Sequence, residues 1–319
     1  MTRNRQFDRL LPAHADDEPL FSKHGQIVAA LARSLLERKP GDRITRVHEY
    51  AARLDASVGT VQSGLQYLMA VGAVHLEARG RLGTYVVAIS YPLLWGIAMR
   101  RPLVGALPLT YSRRLIGLAT GLRTQFDRLP IDLELRFIRG AGQRVQALAS
   151  QQCDWALLSR HAAMQYPEID VVAELGPDTF MAQHVLILSD AAASGMQDGM
   201  RIGVDPSSAD HTCIVYATCH GQCVEFVEID YAEGLHLVMS GVIDGTVWSR
   251  EDVPSEITDL RVIPLSTNDY PELEALGTAV MVVNKGNRSV AAVLGAAIEM
   301  NELRMIQNEV LERRRTPAY

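Results

Sequence analysis

At 319 residues the chain is too long for one small domain and points to two or three. With 48% hydrophobic residues, a mean hydropathy of +0.03 and no apolar run of about eighteen residues, it reads as globular and excludes a membrane-spanning helix. The net charge of −6 excludes a uniformly basic nucleic-acid binder, but it is divided: residues 1–90 carry 12 basic and 9 acidic side chains, the remaining 229 carry 19 and 28.

Residues 1–20 mix charges and proline with few large apolar groups and are expected to form a mobile arm, without the apolar core of a secretory leader. Four cysteines in no paired framework agree with a reducing compartment, so the expectation is the cytoplasm. Ser22 opens a helix whose stripe is Ile27, Val28, Leu31, Leu35 and Leu36, and Lys39-Pro40-Gly41 ends it. Val47, Tyr50, Ala51 and Leu54 predict a second, short helix, with Thr45 before it as the cap. Asp55-Ala56-Ser57 is a tight turn, and Ser57 is placed to cap a third helix. That helix has Val61, Leu65, Leu68 and Met69 on one face and Thr60, Gln62, Ser63 and Gln66 on the other. Gly72 stops it, and Val74–Leu76 and Thr84–Val87 alternate like hairpin strands around Arg79-Gly80-Arg81-Leu82-Gly83.

Residues 21–90 therefore spell two helices on a short turn followed by a hairpin, the arrangement that lays its second helix in a DNA major groove. The candidate DNA contacts are Arg46, Ser57, Thr60, Gln62, Ser63 and Gln66, with Arg79 and Arg81 of the hairpin suited to phosphates. The net +3 of residues 1–90 against −9 for the rest confines DNA to the first domain. The stretches SVGTVQSGLQYLMAVGAV and GRLGTYVV resemble the recognition helix and wing of the GntR regulators. They differ at Val58, where that family usually carries arginine, and by one extra wing residue, Leu82. The spelling GRLGTY beside a long companion domain is most similar to the YhfZ subgroup. The resemblance implies a winged helix-turn-helix fused to a sensor.

Residues 91–102 read as a linker. From Leu103, strands alternate with amphipathic helices: strands at 103–107, 131–138 and 153–159 with helices at 112–126 and 141–150, then strands at 200–205, 223–230 and 242–249 with helices near 210–220 and 233–240. Such alternation predicts parallel sheets covered by helices, an α/β class. A short repeat pairs Ser150, Asp154, Ser159 and Arg160 with Ser240, Asp244, Ser249 and Arg250 at identical spacing, which suggests two similar lobes. After crossover segments at 181–189 and 270–278, a strand at 278–284 and one long helix at 288–315 close the chain. The CDWALLS and GVIDGTVWS segments and this order resemble the type-2 periplasmic-binding-protein fold, which also serves as the sensor of LysR-type regulators. Lobe I is expected at 103–188 and 278–319, and lobe II at 189–277.

In open α/β sheets ligands bind at the C-terminal strand edges. Four loops there supply the candidates: Thr110, Tyr111 and Ser112; Ser159 and Arg160; Ser207 and Ser208; and Trp248, Ser249 and Arg250. Helix N-termini and two arginines favour a small anionic ligand, a carboxylate or phosphate. No metal is expected. Cys213 and Cys219 diverge by about 240° on a helix, Cys223 begins a strand, and neither His211 nor His220 completes a ligand spacing. No cofactor or catalytic residue is expected either. Nucleophile elbow, phosphate-binding loop and metalloprotease motifs are absent, and Asp154 and Asp244 sit at the wrong strand edge. The reading is a cytoplasmic, ligand-responsive transcription regulator, homodimeric on an inverted operator. A solute-binding protein or an enzyme on the same two-lobed scaffold is the alternative.

Overall fold

The structure, a computed structural model, describes residues 22–110, 112–255 and 257–319. The arm expected at 1–20 and the candidate Tyr111 lie outside them. The chain divides into two units. One takes the residues through Leu103 with Thr124–Glu134 and Asn287–Glu299; the other takes Val104–Arg123, Leu135–Gly286 and Met300–Tyr319.

In the first unit, α1 (Lys23–Leu36) starts at Ser22, whose Oγ accepts from the Gly25 amide at 3.1 Å. It buries all five residues of the expected stripe. The helix-turn-helix follows as α2 (Val47–Arg53) and α3 (Val58–Ala70), then the antiparallel ribbon β1 (Val74–Ala78) and β2 (Thr84–Ile89). Thr45 does not cap α2. Backbone bonds from Gly41 to Val86 and from Ile44 to Thr84 hold residues 42–44 along β2, so the helix begins later, with Arg46 at its N-cap. Met69 is exposed rather than buried, because it lies one residue past Leu68 at the rim of the α3 stripe.

The expected linker is a helix, α4 (Tyr91–Met99). It buries Leu94, Trp95 and Ala98 and packs on α1, where Tyr91 donates to the Arg38 carbonyl at 2.7 Å and Arg33 Nε to the Ala98 carbonyl at 3.2 Å. Its apolar residues run all round the helix, so no periodicity gave it away.

The remaining elements run in order: β3 (Leu103–Leu107), α5 (Arg113–Phe126), β4 (Leu133–Phe137), α6 (Ala141–Ala149), β5 (Trp155–Ser159), α7 (Arg160–Ala163), β6 (Ile169–Glu174) and β7 (His184–Leu188). After these come β8 (Arg201–Val204), α8 (Ala209–Thr218), β9 (Glu225–Glu228), α9 (Gly234–Met239), β10 (Gly245–Ser249), β11 (Arg261–Pro264), α10 (Glu272–Gly277), β12 (Ala279–Asn284), α11 (Arg288–Ala297) and α12 (Met300–Leu311). Two five-stranded sheets result, in orders β4-β3-β5-β12-β6 and β11-β7-β10-β8-β9. These sheets are the two lobes.

Three expectations are corrected. The sheets are mixed rather than parallel, because the crossover strands return antiparallel: β12 beside β5 and β6, and β7 beside β10 and β11. Residues 184–188 belong to the second lobe, not the first, since all five are buried and need a strand on each side. The terminal helix is two helices. Extended Ile298 breaks it, and Glu299 is held there by Gln125, whose side chain donates to the Glu299 carbonyl at 2.8 Å and accepts from its amide at 2.9 Å. As a result α11 packs with α1 and α4 in the first unit.

The sequence repeat has a structural basis. Asp154 accepts from the Val104 amide at 2.9 Å and Asp244 from the Arg201 amide at 2.7 Å, so each aspartate locks its strand to the neighbouring parallel one.

Candidate functional site

Two sites emerge, one in each unit. In the first, Ser57 Oγ accepts from the Thr60 amide at 3.0 Å and fixes the start of α3. Val61, Gly64, Leu65 and Leu68 face the core, and a Cβ on Gly64 would come within 2.9 Å of Leu31 on α1. That close seat leaves Gln62, Ser63 and Gln66 exposed and Thr60 half-buried, a polar face of the helix turned away from α1. Arg46 is exposed at the start of α2. In the wing, Arg79 is engaged by Glu77 at 2.9 Å and lies 4.8 Å above the Tyr85 ring, whereas Arg81 at the exposed tip has no ion-pair partner among the described residues. Sequence reasoning missed Arg43, exposed on the strand-like segment beside the wing, its guanidinium packed on Gly83. Gly83, whose φ is +99°, leaves the room that this guanidinium fills, and only the folded ribbon brings the two together.

In the second unit, a cavity of about 110 Å³ lies where loops from both sheets meet. Of the expected ligand residues, Ser112, Ser207, Ser208, Trp248 and Ser249 line it, while Thr110 does not. Ser159 is fully buried; its hydroxyl caps α7 at the Ala162 amide, 2.9 Å away, and donates to Asp210 Oδ1 at 2.7 Å. The two expected arginines are elsewhere. Arg160 pairs with Glu174 at 3.1 Å and Glu274 at 2.9 Å, and exposed Arg250 reaches the Val253 carbonyl at 3.5 Å. Long side chains at the first turn of a helix reach outward to surface acceptors, and both arginines do so.

Three other arginines line the cavity instead. Arg114, buried, is paired with Glu251 and bonds the Asp178 carbonyl. Arg139 bridges from the first lobe to Asp205 at 2.9 Å and Asp230 at 2.5 Å on the second. Arg144 is only 4% exposed; Nε donates to the Leu157 carbonyl at 2.9 Å and Nη1 to that of Ile138 at 2.8 Å. Its sequence signal was a charge on the apolar stripe of α6, between Ala141 and Leu148.

The far wall is aromatic: Tyr231 stacks on Trp248 with ring centres 4.2 Å apart and meets His211 edge-on at 5.3 Å. Burial pulls both His184 and His211 down to about 4, so both are neutral near pH 7. His211 Nδ1 then accepts from the Asp205 amide at 2.9 Å and its Nε2–H donates to the Val247 carbonyl at 3.1 Å. Burial pushes the Asp205 carboxyl up, but bonds from Ser207, Tyr231 and Arg139 outweigh it and hold that carboxyl below its usual range. Burial raises Asp252 to about 6, helped by the charge of Glu251, and lowers Arg144 to about 10. Among the described residues, no group of three or more His, Cys, Asp or Glu could hold a metal ion, and no helix is long and apolar enough to cross a membrane.

Compared with known proteins, residues 90–319 match the family model of the YhfZ C-terminal domain, and residues 39–86 match a helix-turn-helix domain. The chain is 31% identical over 302 residues to YhfZ of Escherichia coli strain K12, covering 94% of this chain and 98% of that one. Its fold is similar to the crystal structure of YhfZ from Shigella flexneri, at 28% identity and a TM-score of 0.59 over 72% of this chain and all of the other. The periplasmic aliphatic sulphonate binding protein SsuA of Escherichia coli is similar in fold alone, at 10% identity and a TM-score of 0.50, over 67% of this chain and 75% of its own. A helix-turn-helix domain followed by a two-sheet domain of periplasmic-binding-protein type is thus the architecture.

Proposed function

The chain belongs to the YhfZ family, and on that premise we propose that it is a ligand-responsive transcription regulator of GntR-like form. The winged helix takes operator DNA and the inter-lobe cavity takes a small-molecule effector. The observation that carries this reading is the capped helix α3, whose Gln62, Ser63 and Gln66 project from a helix otherwise seated on a tight Gly64–Leu31 contact. Glutamine matches adenine edges in the major groove, and the exposed Arg81 matches a phosphate.

The protein acts in the cytoplasm as a homodimer, because an operator with two-fold symmetry is read by a two-fold assembly. The effector shifts DNA affinity through its different affinity for two states of the sensor. The cavity binds without turnover: the Ser207 hydroxyl donates to Asp205, and that carboxylate is already taken by Arg139 and the Tyr231 amide. The test is selection of duplexes from a random library by the full-length protein, followed by gel shift of the winning sequence. A palindromic consensus bound by two copies is the expected result. Binding without sequence preference overturns the reading.

A further inference from the structure

We infer that Arg144, with the uncapped N-terminus of α6, forms the subsite for the acidic group of the cavity's ligand, a small oxyanion. The inference rests on the reading of this cavity as an effector site and adds the chemistry that the effector must carry.

The three cavity arginines are not equivalent. Arg114 has Glu251 and Arg139 has Asp205 and Asp230 as counter-charges. Arg144 has neutral carbonyl partners only, for Nε and Nη1, and its Nη2 makes no hydrogen bond among the described residues. An arginine that is 4% exposed, with no carboxylate in ion-pair contact among the described residues, carries a large desolvation cost, and an anion in contact with it offsets that cost.

The second observation is independent of that charge. Helix α6 has nine residues, and its N-cap, Gly140, offers no side chain to the first-turn amides. Gly140 and Ala141 line the same cavity as Arg144. Gly140 holds φ at +76°, a conformation that favours glycine, so the loop keeps these amides uncapped at the cavity wall. Side chains of a helix lean toward its N-terminus, so Arg144, one turn in, brings its guanidinium back toward the amides of its own first turn. Cation and helix dipole then act on one point.

Across the cavity, Asp210 is the carboxylate whose field reaches Arg144, and it already accepts the Ser159 hydroxyl. An oxyanion placed at Arg144 therefore carries a hydrogen-bond donor on the side facing Asp210. The cavity volume of about 110 Å³ suits a small ligand.

The test is thermal denaturation of the full chain at constant ionic strength, with chloride replaced stepwise by acetate, glycolate, sulfate or inorganic phosphate. Saturable stabilisation of the wild type by at least one of them is expected, glycolate exceeding acetate. Arg144→Gln should weaken that response at least tenfold, while Arg136→Gln, which removes an exposed arginine from the neighbouring strand, should leave it unchanged. If Arg144→Gln does not fold, Ala141→Asp keeps the question open to measurement. It retains Arg144, adds a carboxylate at the first turn, and should abolish the response. An equal response in wild type and variants, or none of the four anions saturating, overturns the subsite. Gel shifts with the same anions separate the two readings. An anion that binds through Arg144 without altering DNA affinity removes the effector role and leaves the subsite standing. A DNA response that survives Arg144→Gln does the reverse.

Discussion

The hydroxyl of Ser159, at the end of β5 in one lobe, donates to Asp210 on α8 of the other at 2.7 Å. The same oxygen accepts the Ala162 amide at 2.9 Å, so one buried atom both starts α7 and joins the lobes. Ser159→Ala removes the cap and leaves a carboxylate buried without its donor, which costs about 2 kcal/mol. Urea unfolding should show that loss with an unchanged m-value. Ser159→Ala on an Asp210→Asn background should cost clearly less, because the two changes share one bond.

Arg139 makes the second inter-lobe link, to Asp205 and Asp230. Its side chain is 40% exposed, so the pair adds little to global stability but restrains the lobes. Arg139→Gln should leave the melting temperature within about a degree or two while accelerating amide hydrogen exchange at residues 205–211 and 230–232. Unchanged exchange there means that Ser159–Asp210 and Arg114–Glu251 hold the lobes without it.

Much of this architecture was legible in the sequence, for identifiable reasons. The helix-turn-helix declared itself through caps and period, since Ser57 and the Val61–Leu65–Leu68 stripe need no partner outside the motif. The Asp154 and Asp244 repeat was readable because strand-locking by the same residue occurs in both lobes. What escaped depended on distant contacts. Helix α4 is apolar on every side, and β7 is buried throughout, so neither carried an element-specific period. Arg160 stood at a strand edge suited to ligands, but Glu174 and Glu274, remote in sequence, take its guanidinium. Arg144 was hidden for the opposite reason: an arginine on an apolar stripe reads as a surface residue until the carbonyls that hold it are known.

Stability should fall on acidification because of two histidines. The folded-state values of His184 and His211 are depressed to about 4 from 6.5, chiefly by burial. Between those values the unfolded chain binds more protons than the folded one, so unfolding free energy rises with pH. This stability is fully present above pH 6.5 and is lost as pH falls toward 4. Asp252 has the opposite sign. Its carboxyl is raised to about 6 from 3.8, so its contribution is present below 3.8 and lost as pH rises through 6. Melting curves from pH 3.5 to 8 should show a flatter acid limb in His184→Gln. Asp252→Asn should gain melting temperature at pH 7.5 and gain nothing near pH 4.

Gly64 sets the height of α3 above α1. A Cβ there meets Leu31 Cδ1 at 2.9 Å, and Leu31 is fully buried, so its withdrawal displaces the side chains packed around it. Gly64→Ala should therefore destabilise the domain by about 1–3 kcal/mol despite the better helix propensity of alanine. A stability gain in denaturant titration means that the α1–α3 seat is looser than this contact implies.

The wing makes a sharper prediction, because its two arginines differ in what already holds them. Arg79 is engaged by Glu77 and by the Tyr85 ring, so reaching a phosphate requires it to give up both. Arg81 is exposed and has no ion pair to break among the described residues. Each phosphate neutralised releases condensed counterions, so losing one contact should reduce the slope of log affinity against log salt by about 1. Arg81→Ala should show that reduction, with binding weakened to a similar degree on every sequence. Arg79→Ala should change the slope less, and Gln66→Ala should keep the slope while losing discrimination at one base position, by about 1–3 kcal/mol. Gel shifts at three salt concentrations separate these outcomes. Equal slopes in wild type and Arg81→Ala mean that the wing does not touch the duplex, and that the phosphate contacts come from Arg43 and Arg46 beside it.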